Sequence, residues 1–149
     1  MITQIVRVLN ADASLLLAAA DESHDVPNVL LVDDSPIALE GGLPVLREAL
    51  PGANVVGLAS PAEAVRYFKG NHVALALLDI KLGRANGLDL CQELLQIRPN
   101  ANVAFITAYP EYSLDAWGTD ACGFILKPLE VEAVRKLIPR LRHPARGLL

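Results

Sequence analysis

Cysteine is scarce in this sequence of 149 residues, which contains only Cys91 and Cys122. Neither cysteine belongs to a Cys-x-x-Cys pair, so neither a zinc site nor a redox motif is indicated. Two isolated thiols fit a reducing cytosol better than a disulfide framework. We therefore predict a cytoplasmic protein in which both cysteines are core residues. The three histidines are scattered, so they form no metal cluster and are expected to face solvent.

A surplus of positive charge is also lacking. The chain has 13 Lys and Arg against 17 Asp and Glu, a net charge of −4 and a pI near 5.3. Proteins that bind nucleic acids directly usually carry a basic surplus, so we predict no such binding. The mildly basic C-terminal end, with Arg140, Arg142 and Arg146, is explained by a solvated helix end.

No apolar run is long enough to span a bilayer, so no membrane partner is expected. Near the N-terminus, Asn10 and Asp12 keep the apolar stretch that ends in residues 15–20 too short for a signal peptide. Hydrophobic residues nevertheless make up 52% of the chain, which is ample for the core of one domain.

The apolar residues fall into five short runs that alternate with helical patterns. The runs are residues 29–32, 55–58, 73–78, 103–106 and 123–126. Short, wholly apolar strands that alternate with helices are typical of a parallel sheet with both faces covered. The sequence therefore predicts an α/β fold with a five-stranded parallel sheet, doubly wound as (βα)5. We divide the chain into an N-terminal extension (1–27), the five units (28–143) and a C-terminal tail (144–149).

Helix starts are marked by capping residues. Ser35 and Ser60 each precede a proline at the first helical position, so they are predicted to cap the first two helices. Two glycines and Pro44 lie inside the first helix, and a kink is expected near Glu40.

The N-terminal extension offers one weak pattern. Ile2, Ile5, Val6 and Leu9 would share a helical face, which would suit docking or self-association. A frayed tail explains the same residues equally well.

Polar residues follow four of the predicted strands. Asp33 and Asp34 follow the first, Asp79 the third, Thr107 the fourth and Lys127 the fifth. In open α/β sheets, ligands bind at the carboxyl ends of the strands. Clustered carboxylates repel one another, and a divalent cation relieves the repulsion; oxygen ligands with several waters favour Mg²⁺. A metal-bound aspartate is also a nucleophile toward phosphorus, and Lys127 would neutralise charge on a transferred phosphoryl group.

These residues carry a family resemblance. The motifs are Leu-Leu-Val-Asp-Asp-Ser at 30–35, Leu-Leu-Asp-Ile at 77–80, Asn-Gly at 86–87, Ile-Thr-Ala at 106–108 and Leu-Lys-Pro at 126–128. Together, over about residues 28–143, the chain resembles the receiver domain of response regulators in two-component signalling, whose fold is flavodoxin-like. The segment 107–117 resembles receivers of LytTR-type regulators.

The resemblance implies a role for each matching position. Asp79 would be the phosphoacceptor, and Thr107 would hydrogen-bond the phosphoryl group. Asp34, with Asp33, Asp79 and the backbone carbonyl of Lys81, would hold Mg²⁺. Further roles implied are a rotating switch aromatic at Phe124 and room for the phosphodonor at Ala108.

The resemblance also implies partners. The donor would be a sensor histidine kinase or a phosphotransfer protein, and the output a downstream protein target. We expect a stand-alone receiver, with a homodimer left open.

Some positions depart from the family pattern. Gly83 stands where the family usually has proline, which predicts a more mobile loop, and Phe124 lacks the hydroxyl of the commoner tyrosine. Lys81 and Tyr109 would border the path of the hydrolytic water, where side chains tune the lifetime of the aspartyl phosphate. Trp117 and Tyr112 are interpreted as packing residues.

Two other functions compete with this one. The first is a receiver-like interaction module that is never phosphorylated. The second is a phosphatase of the haloacid-dehalogenase type, which needs Asp-x-Asp after the first strand. Here Ser35 lies two residues after Asp33 and Pro36 two after Asp34, so that pattern fails. The chain is therefore predicted not to be an enzyme beyond its own phosphorylation and dephosphorylation.

Overall fold

The structure, a computed structural model, describes residues 26–149. The N-terminal helical face predicted at Ile2, Ile5, Val6 and Leu9 lies outside the described residues. The strands are β1 (Asn28–Val32), β2 (Asn54–Leu58), β3 (Leu75–Asp79), β4 (Lys81–Leu82), β5 (Ala85–Asn86), β6 (Asn102–Thr107) and β7 (Gly123–Leu126). The helices are α1 (Pro36–Ala49), α2 (Pro61–Gly70), α3 (Gly87–Ile97), α4 (Ser113–Trp117) and α5 (Val131–Leu137), with 3-10 turns at Pro110–Tyr112 and Ile138–Arg140.

Five of the strands form one parallel sheet in the order β2-β1-β3-β6-β7. Successive side chains of a strand point to opposite faces, and both faces of this sheet are buried. Leu30 of β1 packs in one core cluster with Phe68 of α2 and Leu94 of α3. Leu31 packs in the other cluster, with α1 and α5. The predicted doubly wound (βα)5 fold is confirmed.

The predicted caps start the first two helices. The Ser35 hydroxyl accepts a hydrogen bond from the Ala38 amide at 3.2 Å, and the Ser60 hydroxyl accepts one from the Glu63 amide at 3.2 Å. The α1 helix continues without a break through Pro44. A kink near Glu40 stays a prediction.

Two features differ from the sequence-based interpretation. The loop after Asp79 contains a small antiparallel hairpin, β4–β5, whose turn includes Gly83 with φ +62°. Trp117 was predicted to pack in the core, and this prediction was wrong, because its side chain is 75% exposed. The α4 helix has only five residues and buries Ala116 alone, so the neighbouring Trp117 faces outward. Tyr112 is half-buried against the core, and both cysteines are buried, as predicted.

The C-terminal end of the chain, from Arg142 to Leu148, packs against the amino-terminal edge of the sheet. The buried Asn102 side chain accepts hydrogen bonds from the backbone amides of Arg142 and His143 at 2.8 and 3.0 Å. It also donates to the carbonyls of Ala74 and His143, at 3.0 and 3.1 Å. Leu148 is 3% exposed and belongs to the core cluster under α1 and α5.

Candidate functional site

Four adjacent strands of the sheet place polar side chains at one of its edges. Asp33 and Asp34 follow β1, Asp79 ends β3, Thr107 ends β6 and Lys127 follows β7. Because these strands are parallel and stand side by side in the sheet, their carboxyl ends meet at the same edge. The structure thus brings together the residues that the sequence placed at strand ends.

Lys127 connects two of the carboxylates. Its Nζ donates to Oδ2 of Asp33 at 2.7 Å and to Oδ2 of Asp79 at 2.9 Å. Carboxylate oxygens of Asp33, Asp34 and Asp79 all lie within 4.8 Å of one another. One ammonium group therefore faces three carboxylates, and negative charge remains in excess.

The three carboxylates differ in exposure. Asp33 is 2% exposed and Asp79 is 7% exposed, whereas Asp34 is open to solvent. A cation arriving from solvent would meet Asp34 first. Charges buried as deeply as Asp33 and Asp79 need partners, and Lys127 supplies only one positive charge for both.

The pKa values reflect this balance. Burial raises the pKa of Asp79, and the nearby charge of Asp33 adds to the rise, against the hydrogen bonds from Lys127 and the Lys81 amide. Partial burial alone would lower the pKa of Lys127, but its hydrogen bonds to Asp33 and Asp79 outweigh burial and raise the pKa. Lys127 is thus firmly cationic, while Asp79 holds its charge at a cost.

Backbone contacts fix the position of Asp79. Its Oδ1 accepts a hydrogen bond from the Lys81 amide at 3.2 Å. The Gly87 amide donates to the Ile80 carbonyl at 2.6 Å, and a Cβ added at Gly87 would lie 2.2 Å from the Asp79 carbonyl oxygen. This positioning role of Gly87 was missed by the sequence analysis. The Asn-Gly motif at 86–87 was the one sequence signal at this position. No local pattern predicts that Gly87 packs against the backbone of Asp79 and Ile80.

Thr107 is fully buried at the end of β6. Its hydroxyl accepts a hydrogen bond from the Tyr109 amide at 3.3 Å, and its carbonyl accepts one from the Lys127 amide at 2.8 Å. Thr107 therefore links the strand that carries it to the residue that neutralises the aspartates.

An aromatic cover lies beside the site. The Lys81 ammonium lies 4.4 Å from the ring centroid of Tyr109, a cation–π geometry. The Tyr109 ring also meets Tyr112 edge to face, with centroids 6.4 Å apart. Ala108, next to Thr107 in the chain, is exposed, and Phe124 is half-buried against the core.

The donor set suits a hard divalent cation. Three carboxylates offer oxygen ligands on one side, and the solvent-facing Asp34 leaves room for coordinated water. Mg²⁺ prefers one or two carboxylates with several waters to a closed protein cage. The residues present therefore fit Mg²⁺.

Comparison with known proteins agrees with this geometry. The family model described as the response regulator receiver domain matches residues 29–139. The chain belongs to this family. As a receiver domain, it is a phosphorylation-switched module of two-component signalling. Within residues 26–149, no helix is long and apolar enough to cross a membrane.

Individual relatives place the receiver domain among LytT- and LytR-type regulators. It is 33% identical over 113 residues to the sensory transduction protein LytT of Enterococcus faecalis. The matched region covers 76% of this chain and 47% of LytT. The chain thus spans about half the length of the curated relatives it matches.

Solved structures show the same receiver fold. A CheY-like receiver domain protein of Methanospirillum hungatei has a TM-score of 0.67 at 25% identity, covering 78% of this chain and 97% of the other. The response regulator protein TrrA of Thermotoga maritima, solved in complex with Mg²⁺-BeF, has a TM-score of 0.61 at 28% identity, covering 75% and 99%.

Proposed function

We propose that Asp79 accepts a phosphoryl group from a sensor histidine kinase or phosphotransfer protein in an Mg²⁺-dependent reaction. The main support is a triad in which Lys127 Nζ lies 2.7 Å from Asp33 Oδ2 and 2.9 Å from Asp79 Oδ2. This triad holds the Asp79 carboxylate at a fixed place, with a cation beside the oxygen that would attack phosphorus. Similarity to TrrA, solved with Mg²⁺-BeF, supports the proposal.

Asp34, Asp79 and the backbone carbonyl of Lys81 would hold Mg²⁺, with Asp33 assisting. When bound, the ion supplies positive charge against the oxygens of the transferred phosphoryl group. Both buried aspartates would then gain the charge partner that Lys127 alone cannot give to each of them.

The transfer itself needs little rearrangement of the chain. An Asp79 oxygen attacks phosphorus in line with the departing nitrogen of the donor histidine, and an acyl phosphate forms as the P–N bond breaks. The electron pair of that bond stays on the imidazole. Lys127 stabilises the added negative charge.

The phosphorylated state would be sensed through Thr107 and Phe124. Thr107 is buried next to the site, and its hydroxyl would turn from the Tyr109 amide toward a phosphoryl oxygen. Movement of Thr107 would open space that the half-buried ring of Phe124 enters, changing the surface offered to a downstream protein target. We place this exchange in the cytoplasm, where the two free thiols would stay reduced.

The first prediction is that Asp79 is modified. Incubation of the full chain with a small phosphodonor such as acetyl phosphate and Mg²⁺ should add one phosphoryl mass. Asp79→Ala should gain none, while Asp115→Ala, which removes an exposed aspartate elsewhere, should gain it normally. Chelating the metal, or replacing Asp34 with Ala, should slow the reaction at least tenfold. Intact-mass spectrometry over time measures all five conditions.

A stoichiometric gain of mass by Asp79→Ala would refute the acceptor assignment. No gain by the wild type with any donor would instead favour a receiver-like interaction module that is never phosphorylated.

A further inference from the structure

A second concave region lies at the opposite edge of the sheet from the aspartates. It is lined by residues 26–28, 70–74, 97–101 and 144–146, and we call it the basal groove. These segments precede β1, β3 and β6 or belong to the C-terminal tail, so the groove is at the amino-terminal edge of the sheet. Its volume is about 880 Å³, within the range of ligand-binding clefts.

The groove is positively charged in a chain whose net charge is −4. Arg98 and Arg146 line it beside His72, and the described residues of its lining, all from 26–149, include no aspartate or glutamate. Within residues 26–149, neither arginine forms an ion pair with an acidic side chain. The groove therefore offers cationic groups without a compensating charge from the described part of the chain.

Arg98 is held in place rather than free to point into bulk water. Its Nε donates to the Phe68 carbonyl at 2.6 Å, and its Nη1 lies 3.5 Å from Nδ1 of His72. The guanidinium is half-buried and has five N–H donors. A fixed, half-buried guanidinium with donors left over is suited to bind a carboxylate.

The sequence directly before Val26 is rich in carboxylates. Val26 and Pro27, the first two described residues, line the rim of the groove, so residues 21–25 are tethered there by the chain. Residues 21–25 read Asp-Glu-Ser-His-Asp, with three carboxylates, and residues 15–20 before them are Leu-Leu-Leu-Ala-Ala-Ala. Five residues span at most about 18 Å, so the tether at Val26 confines these carboxylates to that distance from the rim of the groove.

We propose that the acidic stretch of residues 21–25 docks into the basal groove of the same chain, where its carboxylates meet Arg98, Arg146 and His72. The apolar part of the lining, including Val73, Ile97 and Pro144, would receive side chains of residues 15–20. The occupant is the segment of the same chain, because it is tethered at the rim and carries charge complementary to the lining. Docking ties the N-terminal extension to the edge of the sheet that lies opposite Asp79.

The test compares arginine reactivity in the full chain. Phenylglyoxal, an uncharged arginine reagent, is applied to wild type and to the variant Asp21→Asn/Glu22→Gln/Asp25→Asn, and modification is followed by peptide mass spectrometry. We expect Arg146 and Arg98 to react at least threefold faster in the variant. Arg66, exposed on α2 and outside the groove, serves as the internal reference and should react equally in both.

A matched variant, Glu40→Gln/Glu48→Gln/Glu132→Gln, removes three exposed carboxylates elsewhere and should leave Arg146 at the wild-type rate. Circular dichroism verifies that every variant is folded.

Equal rates in wild type and the segment variant would overturn the proposal. Protection that disappears on dilution would also overturn it, because the acidic segment would then come from a second copy. The proposal is also overturned if the arginines of the segment variant react at the wild-type rate and added inorganic phosphate protects them equally in both proteins. The groove would then bind a free anion.

Discussion

A single ammonium group, that of Lys127, pairs with the carboxylates of both Asp33 and Asp79. Lys127 reaches both carboxylates at hydrogen-bonding distance, yet it neutralises only one unit of charge. The remaining charge is buried, and burial makes a carboxylate costly unless it is paired. This imbalance explains why the metal-free protein should be under electrostatic stress at the site where it is expected to react.

The second prediction follows from the raised pKa of Asp79. A carboxyl group whose pKa in the folded state lies above its unfolded value of about 3.9 contributes its full stabilisation at pH values below the unfolded pKa. This contribution is lost as pH rises through the folded pKa. In chelator at pH 7, Asp79→Asn should therefore melt a few degrees higher than wild type, and the difference should shrink as pH falls toward 4.

Lys127 does not disturb that comparison. Its raised pKa keeps it charged at every pH below its ordinary value, so its contribution is constant over this window. Asp115→Asn, at an exposed position, is the control and should show no pH-dependent difference. A melting temperature for Asp79→Asn below that of wild type at pH 7 would contradict the prediction.

The third prediction concerns the lifetime of the aspartyl phosphate. Tyr109 is held beside the site by its contact with Lys81 and by the edge of Tyr112. A ring fixed there would shield phosphorus from water, and neither Tyr109 nor Lys81 carries a carboxylate or amide to orient a water molecule. Tyr109→Ala should therefore lose its phosphoryl group several-fold faster at fixed Mg²⁺, measured by intact mass after removal of the donor.

Tyr109→Phe keeps the ring and should decay at the wild-type rate. Decay of Tyr109→Ala at the wild-type rate would show that the lifetime is set elsewhere.

At the scale of elements, strand ends were the most predictable feature. Asp79 and Lys127 could be assigned to one edge from sequence alone, because each follows a short apolar run and parallel strands align their carboxyl ends. The hairpin β4–β5 and the exposure of Trp117 could not be assigned this way. The hairpin has only two residues in each strand, and the orientation of Trp117 depends on which face of a five-residue helix meets the core.

The fourth prediction concerns the junction between β3 and α3. Gly87 starts α3 against the backbone of Asp79 and Ile80, and an added Cβ would lie 2.2 Å from the Asp79 carbonyl oxygen. Gly87→Ala should therefore displace the backbone of the acceptor, destabilise the fold by about 1–3 kcal/mol and slow phosphorylation. Chemical denaturation and the acetyl phosphate assay measure the two effects.

The control is Gly41→Ala in α1, where nothing lies within 4 Å of an added Cβ. That change should be neutral or stabilising by up to about 1 kcal/mol, since alanine is the better helix former. Equal behaviour of the two variants would remove the positioning role of Gly87.

At the scale of the whole molecule, the two edges of the sheet differ in structure. The carboxyl edge holds the charged site, whereas residues 142–148 pack against the amino edge beside the basal groove. Asn102 satisfies the amides of Arg142 and His143, and the Gly52 amide donates to the Leu148 carbonyl at 2.9 Å. From the sequence, residues 144–149 are predicted only as a tail, because no periodicity distinguishes Leu148 from Leu149.

The fifth prediction tests whether the tail is part of the fold. Leu148 is 3% exposed within the core cluster beneath α1 and α5, whereas Leu149 is 70% exposed. Leu148→Ala should lower the free energy of unfolding by about 2–3 kcal/mol, since a buried leucine loses both its transfer energy and its packing partners. Leu149→Ala should change it by less than about 0.5 kcal/mol. Urea denaturation measures both, and equal effects at the two leucines would mean that the tail does not pack against the amino edge in solution.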